Sequence, residues 1–133
     1  MKRLLYRFAI FAALCACSDT KPEWQAALEA QKYYTFLAEG SATRFLEGKA
    51  GIDSLPDDYC EQLLKAVEQY HAEIQQKHGG LRQILISDNT LSGSDTLGSV
   101  PYVKAFLILC YNDTTQEEIV VPMVQENGTW RMK

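Results

Sequence analysis

The chain has 133 residues, of which 13 are Lys or Arg and 17 are Asp or Glu, giving a formal net charge of −4 with 47% hydrophobic residues. This length is sufficient for one domain with a single modest core. The acidic balance, without a basic cluster, disfavours nucleic acid or an anionic membrane surface as the partner.

The first sixteen residues have the pattern of a lipoprotein signal peptide. A basic start with Lys2 and Arg3 precedes an apolar run over residues 8–14, which is too short to span a bilayer as a helix. The stretch Leu14-Cys15-Ala16-Cys17 resembles a bacterial lipobox, in which cleavage precedes a cysteine whose thiol becomes diacylated. We therefore expect lipid attachment at Cys17, where several acyl chains would make the anchoring stable. An ordinary cleaved signal is the alternative.

This processing would divide the chain into a signal peptide (residues 1–16), a lipid-anchored tether (17–22) and a single α+β domain (23–133). The expected location is the bacterial cell envelope, in the outer membrane, with the leaflet left open. Cleavage removes three of the 13 basic residues and no acidic one, so ten basic against 17 acidic residues give a net charge of −7. Cys60 and Cys110 then remain to pair in an oxidising envelope, and both a disulfide and two free thiols stay open.

Two helices are predicted in the first half of the domain. The first begins at Thr20-Lys21-Pro22-Glu23, a capping-box pattern with Pro in the first turn, and its apolar residues recur every three or four positions. Gly40 allows a break followed by a short second piece. The second helix begins at Ser54-Leu55-Pro56-Asp57 and ends at His78-Gly79-Gly80, where glycine favours a left-handed C-cap. Its predicted buried stripe consists of Tyr59, Leu63, Val67, Tyr70 and Ile74.

An antiparallel sheet of about four strands is predicted after the helices. The first strand covers residues 81–91, and the polar residues 87–99 are expected to form the tip of a long hairpin. Asn127-Gly128 predicts a two-residue type I′ turn, because both residues tolerate positive φ. This turn places Gln125 opposite Trp130 on the inward face of the sheet. The full inward set of this hairpin is Ile119, Val121, Met123, Gln125, Trp130 and Met132.

The strand before this hairpin, over residues 101–112, fits two registers. Its odd-numbered residues are uncharged, whereas the even-numbered residues include Lys104, which is poorly suited to a core. We therefore place the odd set inside, and the alternative is a register shifted by one residue. The outer face then carries an apolar patch that needs covering, and we expect a homodimer through it. We call this set the outer patch; it consists of Phe106, Ile108, Val120, Pro122 and Val124.

Several segments resemble small Bacteroidota lipoproteins. These segments are Phe45-Leu46-Glu47-Gly48, Leu55-Pro56, Lys77-His78-Gly79-Gly80, Leu107-Ile108-Leu109-Cys110-Tyr111, the run from Glu117 to Val124, and Asn127-Gly128-Thr129-Trp130. Such lipoproteins belong to uncharacterised domain families of the nuclear transport factor 2-like (NTF2-like), or cystatin-like, superfamily. The resemblance covers nearly the whole chain after the signal. It implies two N-terminal helices on a curved antiparallel sheet, often with a cone-shaped cavity and often dimeric, but no activity, because one fold hosts many functions.

A non-catalytic binding or protein-interaction module fits these features better than an enzyme. The alternative, a small isomerase or dehydratase with a cone-shaped pocket, needs an inward-facing acid or base, and the predicted register supplies none. No catalytic residue or cofactor is predicted, and no metal site, because His71 and His78 lie two helical turns apart. The expected partner is an unknown envelope protein or a small ligand. The residues predicted to line a pocket are Tyr33, Tyr34, Gln125 and Trp130.

Two threonines are candidate modification sites. Thr96 in Asp95-Thr96-Leu97 and Thr114 in Asp113-Thr114-Thr115 match the Asp-Thr acceptor pattern of Bacteroidota O-glycosylation. Both are predicted to lie in a loop or a turn, where a bulky glycan costs least. A third match, at Ser54, is expected to serve as a helix cap instead.

Overall fold

The computed structural model describes residues 21–92, 94–97 and 100–133, with their side chains described outside residues 91–101. Within these ranges the helices are α1 (Pro22–Ala38), α2 (Ala42–Leu46) and α3 (Asp57–His78). The strands are β1 (Leu81–Ile86), β2 (Ser94–Leu97), β3 (Val100–Tyr111), β4 (Gln116–Glu126) and β5 (Thr129–Met132). Two 3₁₀ turns cover Ile52–Ser54 and Asp88–Ser92. The predicted α+β arrangement, with helices packed on a curved antiparallel sheet, is confirmed.

The sheet has the order β1-β3-β4-β5, and the additional strand β2 pairs with β3. The expectation that residues 87–99 form only a hairpin tip was wrong, because they include a 3₁₀ turn and β2. Thr90 explains this: its buried hydroxyl accepts a hydrogen bond from the N–H of Phe106 at 2.9 Å and lies 3.2 Å from the Phe106 carbonyl oxygen. Between β1 and β2, the Thr90 side chain therefore makes hydrogen bonds to β3 that a neighbouring strand would otherwise make.

The predicted hairpin between β4 and β5 is confirmed. Asn127 and Gly128 have φ angles of 52° and 80°, as a type I′ turn requires. The register pairs Gln125 with Trp130 and Met123 with Met132. Gln125 is nevertheless exposed, because it lies next to the turn at the end of the hairpin.

The core lies between α1 and the inner face of the sheet. The odd-numbered residues of β3 from Val103 onward are all buried, which confirms the preferred register and excludes the shifted one. They are Val103, Ala105, Leu107, Leu109 and Tyr111. Small residues allow α1 to approach this face closely, and its buried residues are Ala26, Ala27, Ala30, Tyr33 and Leu37.

The first predicted helix is broken at Gly40, which adopts φ 82° between α1 and α2. The second predicted helix, α3, ends as expected at Gly79 in a left-handed C-cap with φ 74°. Ser54 does not cap it, since its hydroxyl donates to the carbonyl of Gly51 and Pro56 occupies the N-cap position. The prediction was therefore correct for the C-cap of α3 at Gly79 and wrong for an N-cap at Ser54.

The predicted buried stripe of α3 is confirmed only toward its C-terminal end, where Ile74 belongs to the core and Val67 and Tyr70 pack against it. Among its residues Ile74 is buried and Tyr59 is 47% exposed, while Leu63, Val67 and Tyr70 are half-buried. The C-terminal end of the helix is fixed to the sheet, because the Asn112 side-chain amide donates to the Gly79 carbonyl at 2.8 Å. The rest of α3 packs mainly against α2 rather than against the sheet. Amphipathic spacing alone does not show how much of a stripe its neighbours can cover.

Cys60 and Cys110 are both free thiols, so no disulfide joins them. Cys110 is buried in β3, whereas Cys60 is half-buried in the first turn of α3. None of the helices described here is both long enough and apolar enough to cross a membrane.

Candidate functional site

The space between α1 and the end of β5 is filled by Tyr33. Its hydroxyl donates a hydrogen bond to the carbonyl of Trp130 at 3.0 Å. A Cβ atom on Gly48 would lie 2.6 Å from the Tyr33 ring, so only glycine permits this contact. The segment around Gly48 in turn pairs with the outer edge of β5, since the N–H of Met132 donates to the Gly48 carbonyl at 2.7 Å. Tyr33 therefore fastens α1 and this segment to β5.

A pocket of about 240 Å³ lies beside this core, between α2 and the β4–β5 edge of the sheet. We call it the edge pocket; it is lined by Tyr34, Phe45, Leu46, Lys49, Val120, Val121, Pro122, Met132 and Lys133. The rings of Tyr34 and Phe45 meet edge to face with centroids 5.1 Å apart, which fixes the helical wall. This lining is apolar apart from the tyrosine hydroxyl, two lysines and the backbone, and contains no carboxylate or imidazole.

The edge pocket lies beside backbone groups of β4 that have no neighbouring strand. The N–H of Tyr111 donates to the Thr115 carbonyl, so the odd-numbered residues of β4 bond to β3 and the even-numbered residues point away from it. At the other end, the N–H of Lys133 donates to the Pro122 carbonyl at 2.9 Å. In the part of the chain that the structure describes, no strand lies beside the outward-pointing residues between these ends. We call these residues, Gln116, Glu118 and Val120, the open edge.

The four residues predicted to line one pocket lie in different places. Tyr34 lines the edge pocket, whereas Tyr33 is buried beneath the segment around Gly48. Gln125 is exposed, and Trp130 lines a second pocket at the hairpin end. Sequence reasoning missed Phe45, Leu46 and Lys49 as lining residues, since their place beside β4 depends on how the chain folds back after α1.

The second pocket has a volume of about 340 Å³ and a mixed lining of Gln25, Leu28, Glu29, Gly128, Thr129 and Trp130. Trp130 is 5% exposed, and its buried indole N–H has no hydrogen-bond partner among the described residues. The Glu29 carboxylate forms an ion pair with Lys32 at 3.1 Å. This pocket is more polar and more open than the edge pocket.

Three phenols lie near one another behind the edge pocket. Burial, followed by the neighbouring phenols of Tyr70 and Tyr111, raises the pKa of Tyr34 to about 12. Burial, with the Glu117 carboxylate as the next cause, raises the pKa of Tyr111 to about 12 and also raises that of Tyr70. All three phenols are therefore neutral at physiological pH. They can donate hydrogen bonds but cannot serve as general bases.

The turn that leads into β4 is tied to the end of α3. His78 Nδ1 lies 2.7 Å from Asp113 Oδ2, and the His78 ring stacks on Tyr111 with centroids 3.9 Å apart. The Thr115 hydroxyl, followed by His78, lowers the pKa of Asp113 to about 2. These contacts belong to an exposed turn and fix where the open edge begins.

The remaining sequence-predicted sites are placed only in part. Cys17 lies outside the described residues. Thr96 lies in β2 opposite Pro101, rather than in a loop. Thr114 is exposed at the β3–β4 turn with φ 71°. Within the ranges described, no three His, Cys, Asp or Glu side chains are grouped closely enough to hold a metal ion.

Comparison with known proteins supports the fold. The chain is similar to a crystal structure described as an NTF2-like transpeptidase from Campylobacter jejuni, with a TM-score of 0.58 and 15% sequence identity. The match covers 77% of this chain and 92% of that one. At this identity the likeness shows the NTF2-like fold alone. No family model and no curated protein matches the sequence.

Proposed function

We propose that this chain is a lipid-anchored module of the cell envelope that binds a protein or small ligand without catalysing a reaction. The observation that carries the proposal is the edge pocket, an apolar cavity that lies beside backbone groups of β4 with no partner strand among the described residues. Apolar walls with a few polar groups suit binding. The fold hosts both binding proteins and enzymes, so the argument rests on the site.

The lining of the edge pocket favours binding over catalysis. An isomerase or dehydratase of this fold needs an acid or base at the reacting atoms. The ionisable side chains at the edge pocket are Tyr34, Lys49 and Lys133, and Tyr34 stays neutral. Toward the core the inner face of β3 and β4 is apolar, with Val121 and Met123 buried there. These surroundings can hold an apolar group but offer no carboxylate or imidazole for proton transfer.

The anchoring part of the proposal rests on the lipobox-like stretch that ends at Cys17. Metabolic labelling with a fatty acid should give labelled wild type and unlabelled Cys17→Ala, and fractionation should find the wild type in the outer membrane. Equal label in both proteins would overturn the anchor.

The binding part is tested by affinity capture with the detergent-solubilised lipoprotein. Leu46→Lys places a charge in the edge pocket from a half-buried position, and Leu85→Lys, on the 38%-exposed Leu85 of β1, is the matched control. A partner retained by wild type and by Leu85→Lys, but lost with Leu46→Lys, supports the proposal. Capture that is equal in all three proteins would place binding elsewhere, and no specific capture by any of them would count against a protein-binding module.

Self-association through the outer patch is a further part of the proposal. Val120 is 50% exposed and lies opposite Phe106 on the outer face, and the other members of the patch are half-buried. Burying this surface contributes about 25 cal/mol per Å² before association costs are subtracted. A soluble form lacking residues 1–17 should sediment as a dimer, and Val120→Glu with Val124→Glu should give a folded monomer. A monomeric wild type at micromolar concentration would contradict the dimer.

O-glycosylation at Thr96 or Thr114 remains a proposal from the Asp-Thr pattern. Thr114 has the stronger structural support, since it is exposed at a turn tip. Intact mass of the protein from its native host should exceed the acylated mass by a glycan that Thr114→Ala removes. A mass that corresponds to acylation alone would contradict modification at both sites.

A further inference from the structure

We propose that the open edge of β4 binds an extended segment of a partner protein as an added antiparallel strand, with an apolar side chain directed into the edge pocket. This inference rests on the proposed binding function and specifies its partner class. Strand addition draws affinity from main-chain hydrogen bonds and specificity from pockets for alternate side chains. Both components are present here, because the backbone groups of the open edge lie next to the edge pocket.

The backbone of the open edge has a defined length. Gln116, Glu118 and Val120 each direct an N–H and a carbonyl away from β3. The edge stops at Pro122, which has no N–H and whose carbonyl already accepts from Lys133. An added strand can therefore pair with residues 116–120, and its chain must leave the sheet where β5 ends.

The edge pocket receives an inward side chain of such a strand. Residues opposite one another in neighbouring strands share a face of the sheet. A side chain opposite Ile119 would therefore point to the inner face, where Tyr34 and Phe45 form the wall of the pocket. One apolar residue fits this geometry.

Charge at the open edge disfavours a second copy of this chain as the occupant. A symmetric antiparallel pairing over residues 116–120 would place Glu118 opposite the same residue of the other copy, and like charges in that position are destabilising. The Glu118 carboxylate is also held in place, because the Asn89 side-chain amide donates to it at 3.1 Å. A partner strand with a basic residue opposite Glu118 would instead form an ion pair. In antiparallel orientation the recognised pattern is any residue, apolar, then Lys or Arg, opposite Val120, Ile119 and Glu118.

The probe is an acetylated and amidated peptide with this pattern, Thr-Leu-Lys-Thr-Ser, titrated into the full-length lipoprotein in detergent by isothermal titration calorimetry. Its twin carries N-methyl groups on the first Thr and on the Lys, two of the three residues whose N–H groups would face β4. We expect saturable binding of the probe and loss of binding by the twin, because methylation removes the main-chain bonds and leaves the side chains. No saturable binding of the probe, or equal binding of both peptides, would overturn strand addition.

The matched variants are Val120→Pro and Val120→Thr. Proline removes an N–H that has no partner in the described structure, and its side chain keeps the outer patch apolar, whereas threonine keeps the N–H. We expect Val120→Pro to weaken binding about tenfold and Val120→Thr to change it less than about twofold. Circular dichroism and the urea midpoint verify folding, and if Val120→Pro does not fold, the methylated twin decides on the wild type alone. Equal affinity of a folded Val120→Pro would overturn the proposal.

The two proposals fail separately. Cellular partners captured equally by wild type and by Val120→Pro would overturn strand addition while leaving the binding module in place. Peptide binding at the open edge without fatty-acid label at Cys17 would support strand addition and count against the lipid anchor.

Discussion

The two halves of β4 differ in what lies beside them. From Pro122 to Val124 the strand is bonded to β3 on one side and to β5 and Lys133 on the other, whereas from Gln116 to Val120 it is bonded, among the described residues, to β3 alone. β5 has four residues and β4 has eleven, so the length of β5 decides where the second neighbour ends. The residues of a strand specify which of its side chains are buried and which are exposed. The length of the neighbouring strand specifies how much of its backbone edge is paired.

The largest expected change in stability comes from Gly48, in the segment that pairs with β5. β5 is in turn the strand that pairs with the C-terminal half of β4. Gly48→Ala would push a methyl group into the Tyr33 ring and disturb the segment that covers β5. We expect a loss of about 2–3 kcal/mol in the free energy of unfolding, measured with urea. Gly128→Ala is the control, because a Cβ there meets nothing within 4 Å and costs only the strain of φ 80°, about 1 kcal/mol. If Gly48→Ala cost no more than Gly128→Ala, the Tyr33 ring would not be held as described.

A smaller difference in the free energy of unfolding is expected between the two faces of β4, at the boundary between its two halves. Val121 is 4% exposed and Val120 is 50% exposed, although they are consecutive in the strand. We expect Val121→Ala to cost about 2 kcal/mol, because two buried methyl groups and their contacts are lost. Val120→Ala should change the monomer's stability by less than about 0.5 kcal/mol. Equal costs in urea unfolding of the monomer would mean that the outer face is covered.

The sheet was largely predictable because its signals are local. Asn127-Gly128 requires positive φ at two consecutive positions, and that requirement alone fixes every pairing between β4 and β5. Lys104 decided the faces of β3, since a lone charge is rarely placed in a core.

The errors arose where tertiary contacts outweigh local pattern. The Thr90 hydroxyl completes hydrogen bonds with Phe106 of β3, and nothing in its neighbours' sequence indicates that partner. The stripe of α3 has the spacing of a buried helix, but the helix packs mainly on the short α2. The wall of the edge pocket formed by Leu46 and Lys49 depends on how α2 returns toward β4, which sequence spacing does not specify.

The half of β4 from Gln116 to Val120 begins at the β3–β4 turn, and we expect acid pH to weaken this turn. The Thr115 hydroxyl and then His78 lower the pKa of Asp113 from 3.8 to about 2, so the folded state favours the ionised carboxylate. This contribution is fully present above the unfolded pKa near 4 and is lost as the pH falls through about 2. The free-energy difference between wild type and Asp113→Asn, measured by urea unfolding, should therefore be largest near pH 5 and shrink toward pH 2. Asp53→Asn removes the same charge from an exposed 3₁₀ turn and serves as the control for net charge. A difference for Asp113→Asn that stays constant from pH 5 to pH 2, or that matches Asp53→Asn at every pH, would show that the carboxylate does not hold this turn to α3.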